Sequence, residues 1–316
     1  MRQMSFAEAE YENKSHKTRR ELFLERMESL VPWAKLERKI AKHYHQETTG
    51  RPPYPLRTVL RVHCLQLFYN LSDPAMEDAL YEIESMRRFA GLRLSDPLPD
   101  ETTILNFRHF LEHHRLGKVV FDTVNQHLAS QGLILKEGSI VDATILSAPS
   151  STKNAAGERD PEMRQTKKGN QWYFGMKMHI GVDDALGLIH SLETTSAEVH
   201  DVVVADKLLH GKEKSVWGDA GYLGIEKRKE HERRGTRWQI ALRPGKRAQL
   251  PEASPLAKAE RIKASVRAKV EHSFFYIKRV FGYDKVRYRG LAKNACRLQV
   301  LAAFTNLLMA RKHLPA

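Results

Sequence analysis

The first half of the chain carries apolar side chains at the spacing of amphipathic helices. Between about residues 15 and 130, apolar positions recur at intervals of three and four, which places them on one face of a helix. Examples are Val59, Val62, Leu65 and Tyr69, then Met76, Leu80, Ile83 and Met86. Residues that break or begin helices separate these runs at 52–53 (Pro-Pro), 72–74 (Ser-Asp-Pro) and 99–100 (Pro-Asp). This half is therefore predicted to be all-α, with several short helices joined by tight turns.

One predicted helix, over 100–114, is a candidate recognition helix of a helix-turn-helix. Asp100 is its expected N-cap residue. The side chains that would face DNA are Thr102, Thr103, Asn106 and Arg108. A helical bundle that only packs or dimerises explains the same pattern equally well, because amphipathic helices joined by short turns are common.

After Gly132 the apolar pattern changes to that of β-strands. Residues 139–145 are rich in β-branched side chains, and residues 172–182 alternate before a turn and a hairpin partner at 188–195. The elements expected next are a helix over 201–209, strands over 215–219 and 237–242, and a long helix over 257–280. This order matches the ribonuclease H-like α/β fold, in which three antiparallel strands precede strands interleaved with helices.

Two domains are expected from this change of pattern and from the length of 316 residues. The predicted helical domain spans 1–133, and the predicted α/β domain with its mixed sheet spans 134–316. Residues 150–170 are expected to form a polar loop, and residues 243–255 a basic connector rich in Pro and Gly.

Composition narrows the class of protein. The 52 Lys and Arg residues exceed the 38 Asp and Glu residues, and the formal net charge of +14 favours a polyanionic partner. The most apolar stretch, 298–309, is interrupted by polar residues and is expected to be a helix with one buried face rather than a membrane span. No secretory signal and no metal-binding Cys or His motif is visible, so a cytoplasmic protein without a zinc site or disulfide framework is expected.

Two acidic residues interrupt predicted strands. Asp142 lies within an apolar β-branched run, and Asp219 ends a short strand. A buried carboxylate is costly unless it is paired or binds a cation, so these positions are candidates for a shared metal site. Each Asp alone is more often a strand-end cap or a turn residue.

A third acid, Glu271, lies in a predicted helix with Arg267 and Lys278 on the same face. A surface ion pair between Arg267 and Glu271 is the ordinary explanation of this spacing. However, residues 256–297 contain 12 Lys or Arg against three acids, a local net charge of +9, as expected where a phosphate backbone meets a metal-binding acid. The basic candidates for DNA contacts in this stretch include Arg279, Lys285, Arg287 and Arg289.

Three converging carboxylates would resist full ionisation without a cation. Mg²⁺ or Mn²⁺, which prefer oxygen ligands, would reverse that penalty. Two such ions about 4 Å apart activate a water or a sugar 3′-hydroxyl and stabilise the leaving oxygen of a phosphodiester. The pattern therefore predicts two divalent ions held by Asp142, Asp219 and Glu271.

Nearly the whole chain resembles the DDE transposases of bacterial insertion sequences, specifically insertion sequence family five. The three acids lie in VDAT (141–144), GDAGY (218–222) and Arg267-x3-Glu271-x6-Lys278. Further matching motifs are 57–86 (RTVLRVHCLQLFYNLSDPAMEDALYEIESM), 98–111 (LPDETTILNFRHFL), 160–163 (DPEM), 167–170 (KKGN) and 175–177 (GMK). One departure is Ala264, where related transposases carry a Tyr three residues before the Arg, so no role of that Tyr carries over.

The resemblance implies a ribonuclease H-like catalytic domain, Mg²⁺ dependence, recognition of terminal inverted repeats, and at least a dimeric synaptic complex working on double-stranded DNA. By the same resemblance, Arg267 and Lys278 are expected to contact DNA beside Glu271. The helical half is expected to bind the ends of the element. Weaker candidates for backbone contacts are Lys167, Lys168 and Lys177. The pair His200-Asp201 precedes a predicted helix, and Asp201 is interpreted as the N-cap residue of that helix. The alternative interpretation of the pair is a supporting role of His200 near the metal ions.

Two other functions use the same features. A domesticated DNA-binding regulator would keep the helical reader without catalysis, although all three acids are present. A ribonuclease H-like nuclease or junction resolvase would use the same acids on other substrates. The expected place of action of a transposase is the bacterial cytoplasm, at the nucleoid.

Overall fold

The chain folds into a helical N-terminal half followed by a mixed β-sheet with helices on both faces. The computed structural model describes residue 11 and residues 13–44, 52–134, 137–155, 157–231 and 235–314. None of the helices in these segments is long and apolar enough to cross a membrane.

The helical half has seven helices within its described residues. They are α1 (Arg19–Leu30), α2 (Trp33–Ile40), α3 (Leu56–Phe68), α4 (Asp73–Glu82), α5 (Glu84–Ala90), α6 (Glu101–His113) and α7 (Leu116–Ser130). Two predicted helix starts are confirmed. The Ser72 hydroxyl accepts a hydrogen bond from the Ala75 N–H, and the Asp100 carboxylate accepts one from the Thr103 N–H.

Six strands in the described part of the chain form one mixed sheet. They are β1 (Gly138–Ser147), β2 (Arg164–Lys168), β3 (Gln171–Asp183), β4 (Ile189–Ser196), β5 (Ser215–Gly218) and β6 (Arg237–Ile240). The order is β2-β3-β1-β5-β6, and β4 also pairs with β3. Strand β3 is antiparallel to β1, β2 and β4, whereas β5 runs parallel to β1 and β6 runs parallel to β5.

Strand β2 lies inside the segment 150–170 that the sequence predicts to be a loop, so that prediction is wrong for Arg164–Lys168. Its residues pair with β3, as Lys167 does with Trp172. Both faces of β2 are largely exposed, so the strand lacks the alternation of apolar and polar residues that reveals half-buried strands. The predicted connector 243–255 likewise contains a short helix, α8 (Pro244–Ala248).

Three longer helices cover the sheet, and the labels continue as α9 (Asp201–Leu208), α10 (Pro255–Phe275) and α11 (Leu291–Ala310). Helix α9 covers one face over a small apolar core that includes Val141 and Tyr222. Helices α10 and α11 cover the other face. The long helix predicted over 257–280 is regular only to Phe275, and Tyr276–Val280 continues it as a π-helical turn.

Helix α11 is buried almost all round between α7 and the sheet. The expectation of one buried face is therefore wrong, because the helical half covers the second face. The buried amide of Asn306 in this helix is hydrogen-bonded within the protein: its Nδ2 donates to Asn125 Oδ1 at 2.8 Å and to the Ile189 carbonyl at 2.7 Å. Phe68 and Phe304 pack edge to face at 4.8 Å. One continuous apolar core thus joins the helical half to the sheet.

Candidate active site

Asp142 and Asp219 lie on neighbouring parallel strands at the centre of the sheet. Val141 and Gly218 are the last pair in the register of β1 and β5, so each Asp is the next residue along its chain, and neighbouring strands are about 4.8 Å apart. Asp142 Oδ1 accepts a hydrogen bond from the Ala143 N–H at 2.7 Å, and Asp219 Oδ1 accepts one from the Gly221 N–H at 2.8 Å. The structure therefore brings these two predicted site residues together and anchors one oxygen of each.

Glu271 lies on helix α10, which packs against the two strands β1 and β5 that carry or precede the other acids. Its side chain is exposed. Burial raises the pKa of Asp142 to about 7, and the negative charges of Asp219 and Glu271 raise it as well, against the opposing effects of the Ala143 N–H and Arg267. Three acids that are far apart in the sequence thus interact electrostatically at Asp142.

Arg267 is the positive group next to this cluster. Its Nη2 lies 3.9 Å from Asp142 Oδ2, and its side chain is 22% exposed. Its Nε is buried without a hydrogen-bond partner in the described structure. Arg267 therefore places its positive charge next to Asp142, between α10 and β1. The spacing in the sequence suggests a surface ion pair of Arg267 with Glu271 instead.

Lys278 lies in the π-helical turn and is held by the sheet. Its Nζ donates a hydrogen bond to the Ile145 carbonyl at 2.8 Å. Burial lowers the pKa of Lys278, and the charge of Lys168 lowers it further, whereas Glu271 acts in the opposite direction. The structure thus gives the predicted DNA contact Lys278 an internal partner, and the turn that carries it docks onto β1.

The other basic residues predicted after α10 differ in exposure and partners. Arg279 and Lys285 are exposed, as are Arg287 and Arg289. Arg287 Nε donates to Asn70 Oδ1 at 3.1 Å, and Arg289 Nη2 donates to the Arg159 carbonyl at 3.4 Å. This basic surface therefore adjoins both the helical half and the loop that follows β1.

Two other predicted DNA contacts are enclosed by protein. Arg108 is buried on α6, where its Nη2 donates to Asp73 at 2.8 Å and its guanidinium lies 4.3 Å from the centroid of the Tyr288 ring. Lys177 Nζ donates to Asp201 Oδ1 at 2.9 Å and to the Val199 carbonyl at 2.7 Å. These contacts favour a structural role for both residues. Lys167 and Lys168 are exposed near the tip of the β2–β3 hairpin.

Asp201 is the residue near the site that sequence reasoning misjudged. His200, not Asp201, is the N-cap residue of α9 and makes no side-chain cap bond, so the N-cap interpretation of Asp201 is wrong. Its carboxylate instead binds Lys177 and lies 3.7 Å from His179 Nδ1. The available signal was the presence of two basic residues, Lys177 and His179, at alternate positions within the apolar part of β3.

Asp201 and Asp219 also approach the same glycine. A Cβ added to Gly221 would lie 2.9 Å from Asp219 Oδ1 and 3.6 Å from Asp201 Oδ2. The buried Tyr222 follows, and its pKa is raised well above the usual value by burial and by the charges of Asp201, Asp142 and Asp219. A fourth carboxylate therefore lies beside the cluster, already neutralised by Lys177.

The chemistry of the three predicted ligands fits a hard divalent cation. Asp142, Asp219 and Glu271 offer carboxylate oxygens, which Mg²⁺ and Mn²⁺ prefer, and a cation would relieve the repulsion that helps to raise the pKa of Asp142. Across the described segments, no three acidic, His or Cys side chains are close enough together to form a ready-made ion site. The carboxylates would therefore have to draw together around an ion, and the exposed Glu271 has room to move.

Comparison with known proteins identifies the family. A family model described as a transposase DDE domain matches residues 134–307, more than half of the chain, and this segment contains all three acids. The chain belongs to the DDE transposase family. A second model, described as a transposase domain (DUF772), matches residues 10–110 of this transposase. The resemblance to DDE transposases drawn from the sequence motifs is thus confirmed at the level of the family.

Membership also defines the class of reaction, because DDE transposases are enzymes that act on DNA. The net charge of +14 agrees with a polyanionic substrate. No solved structure matches this transposase.

Proposed function

We propose that this chain is an active transposase of a bacterial insertion sequence, of insertion sequence family five. It would hydrolyse phosphodiesters at the ends of the element and join the freed 3′-hydroxyl ends to target DNA. The observation that carries the proposal is the position of Asp142 and Asp219 directly after the paired residues Val141 and Gly218 of parallel strands, with Glu271 on the helix that packs against both strands, inside the segment that matches a transposase DDE domain. Asp142, Asp219 and Glu271 are the proposed catalytic residues and metal ligands.

A ribonuclease H-like catalytic domain is part of the proposal. Its support is the strand order, in which antiparallel β4, β3 and β1 continue into parallel β5 and β6. The proposed division into a helical domain (1–133) and a catalytic domain (134–316) is supported by the two family matches, which fall on separate segments. Because the two parts share one apolar core, they would act as a unit.

Each proposed ligand has a distinct part in the mechanism. When bound, two Mg²⁺ or Mn²⁺ ions would activate the attacking water or 3′-hydroxyl and stabilise the leaving oxygen. The backbone N–H groups of Ala143 and Gly221 hold one oxygen of Asp142 and of Asp219, which fixes the orientation of both carboxylates. Glu271 would complete the ligand set from α10. Arg267 holds Asp142 in place and adds positive charge where the phosphate would lie.

The DNA is proposed to run over the basic surface beside α10. Arg279 and Lys285 are exposed there, and Arg287 and Arg289 extend the surface towards Asn70 of the helical half and Arg159. The helical half is the proposed reader of terminal inverted repeats. Two or more copies in a synaptic complex would bring both ends of the element together, and the protein would work at the bacterial nucleoid.

The proposal is tested with supercoiled donor DNA that carries the ends of the element. With Mg²⁺, the wild type should nick or linearise the donor at those ends, whereas Asp142→Asn and Asp219→Asn should bind but not cut. Equal cutting by wild type and Asp142→Asn would refute the proposed site. Binding that is unaffected by EDTA and never followed by a nick would indicate a DNA-binding regulator. Cutting without preference for inverted-repeat ends would indicate a nuclease or resolvase.

A further inference from the structure

We propose that the tip of the β2–β3 hairpin is a DNA-contacting arm in which the Trp172 indole stacks on a base of the substrate, roughly 27 Å from the catalytic carboxylates. The inference rests on the proposed function, because it takes DNA as the substrate. It concerns the motif at 167–177, which has no part in the cluster of acids. The residues called the arm are 164–174.

Trp172 is the exposed member of the four tryptophans. Its side chain is 64% exposed, whereas Trp33 is buried and Trp217 and Trp238 are partly buried. Lys167 lies directly across the hairpin, with its Nζ 6.0 Å from the centroid of the indole. A single exposed apolar residue is common on protein surfaces. A large aromatic ring with an adjacent cation, however, is the combination that binds nucleic acid by stacking and by charge.

The arm is basic and contains no acid. Residues 164–174 include three basic residues and neither Asp nor Glu. Arg164 is engaged by Glu198, with a 3.7 Å separation between Nε and Oε1, whereas Lys167 and Lys168 are exposed. Lys168 also acts electrostatically on Lys278, in the turn that follows α10. The arm therefore extends the positive surface of the α10 region, and charge complementarity favours a polyanion over a protein partner.

Trp172 and Asp142 belong to the same face of the sheet. Side chains alternate along a strand, and the residues of β3 that share this face are Trp172, Phe174, Met176, Met178 and Ile180. Ile180 pairs with Asp142. Helices α10 and α11 cover the part of this face where Met176, Met178 and Ile180 are buried, so a duplex that meets both the acids and the arm would pass over the basic surface beside α10.

The spacing sets where the contact falls on DNA. Trp172 is eight residues from Ile180 along β3, and at about 3.4 Å per residue in an antiparallel strand this is roughly 27 Å. Since each base pair of a duplex occupies about 3.4 Å, the indole would meet the DNA about 8 base pairs from the cleaved phosphate. A two-stranded β-ribbon fits the major groove, and an inserted ring at its tip favours a step where a base is already unstacked.

The experiment measures binding of the full-length protein to two 30-base-pair duplexes in Ca²⁺, which replaces Mg²⁺ so that no cutting occurs. One duplex is fully paired, and the other carries a single bulged 2-aminopurine. Wild type, Trp172→Ala and Trp172→Phe are compared, with Val203→Ala as the matched control, because Val203 is an exposed apolar residue on α9, on the other face of the sheet. Tryptophan and 2-aminopurine emission report stacking, and anisotropy reports affinity.

Stacking predicts that Trp172→Ala binds the bulged duplex roughly five- to 100-fold more weakly and the paired duplex with a smaller loss. Trp172→Phe should keep most of the affinity, because it retains a ring, but should lose the tryptophan quenching caused by DNA. Val203→Ala should match the wild type. Thermal unfolding of each variant checks that the fold is intact.

Equal affinity of wild type and Trp172→Ala for both duplexes, with quenching retained in Trp172→Phe, would overturn the inference. So would an equal loss on both duplexes, which indicates a backbone contact without stacking. The proposed function is judged separately by Mg²⁺-dependent nicking that Asp142→Asn abolishes. If nicking is present while Trp172→Ala binds normally, only the arm is refuted.

Discussion

Arg267 Nη2 lies 3.9 Å from Asp142 Oδ2, which places opposite charges from α10 and β1 next to each other. The pair links the third-acid helix to the strand that carries the first acid. It also supplies the positive charge nearest to Asp142 at the proposed reaction centre. Arg267 is therefore the residue whose replacement should affect cutting without removing any proposed metal ligand.

Replacing Arg267 by Gln should slow Mg²⁺-dependent cutting ten- to a hundredfold, which corresponds to about 1.4 to 2.8 kcal/mol in the barrier. The reason is the loss of both the orientation of Asp142 and the charge near the phosphate. Arg267→Lys should retain part of the rate. Single-turnover nicking of a supercoiled donor measures the effect, with the exposed Arg261→Gln on the same helix as the control. A wild-type rate for Arg267→Gln would contradict this role.

Lys177→Met should lower the free energy of unfolding by about 2 to 3 kcal/mol, because it leaves the carboxylate of Asp201 without its partner. This loss of stability is smaller than the loss expected on breaking a fully buried ion pair, because the side chains are partly exposed: 25% for Asp201 and 12% for Lys177. Adding Asp201→Asn should recover part of the loss. Urea unfolding measures the stability of each variant. A stable Lys177→Met protein that binds DNA with a weaker salt dependence would instead support the DNA contact predicted from the sequence.

Removing exposed charges from the basic surface should weaken the salt dependence of DNA binding. Each phosphate neutralised contributes a slope of about −0.9 to log K against log salt. Arg279→Gln and Lys285→Gln should therefore each flatten the slope by about 0.9. Lys214→Gln is the control, because Lys214 is exposed and pairs with Glu137, the residue just before β1. If all three variants kept the wild-type slope, the DNA would have to follow a different path.

Acid should destabilise the helical half through His63. Burial, with the charges of Arg297 and Arg108, lowers the pKa of His63 to about 3, against 6.5 for the free side chain. The folded state holds the neutral ring, so the stabilising contribution is present above pH 6.5 and is lost as the pH falls below that value. Between pH 7 and pH 5 the loss should be about 2 kcal/mol.

The measurement is the free energy of unfolding of wild type and His63→Phe at both pH values. The Phe variant should lose less stability on acidification, because it has no group to protonate at this position. The same loss in both proteins would assign the acid sensitivity to other groups.

Much of the site could be predicted because its residues interrupt a regular pattern. Asp142 stands out in a β-branched run, and parallel pairing of β1 with β5 places Asp219 beside it. The alternation typical of strands therefore locates Asp142 and Asp219, and the three- and four-residue spacing typical of helices locates the helix that carries Glu271. The family is recognisable for the same reason, since the motifs surround these positions.

The remaining features depend on tertiary contacts that no local pattern records. Strand β2 is exposed on both faces and has no apolar period. The partner of Lys177 lies 24 residues away, on α9, and Arg108 is enclosed by Asp73 and Tyr288, which come from different parts of the chain. The apolar helix α11 gives no sign that α7 covers its second face. The sequence shows that these residues are polar or apolar, but not which neighbours they meet.

The burial of α11 has a consequence for how accurately the position of the cut would be chosen. Asn306 ties Asn125 of the helical half to Ile189 of the sheet, so the part proposed to read DNA ends is held at a constant offset from the acids. If the helical half reads the DNA ends as proposed, a protein built in this way would measure length along its substrate. The dimensions of the molecule, rather than the bases at the cut, would then decide which phosphate is broken.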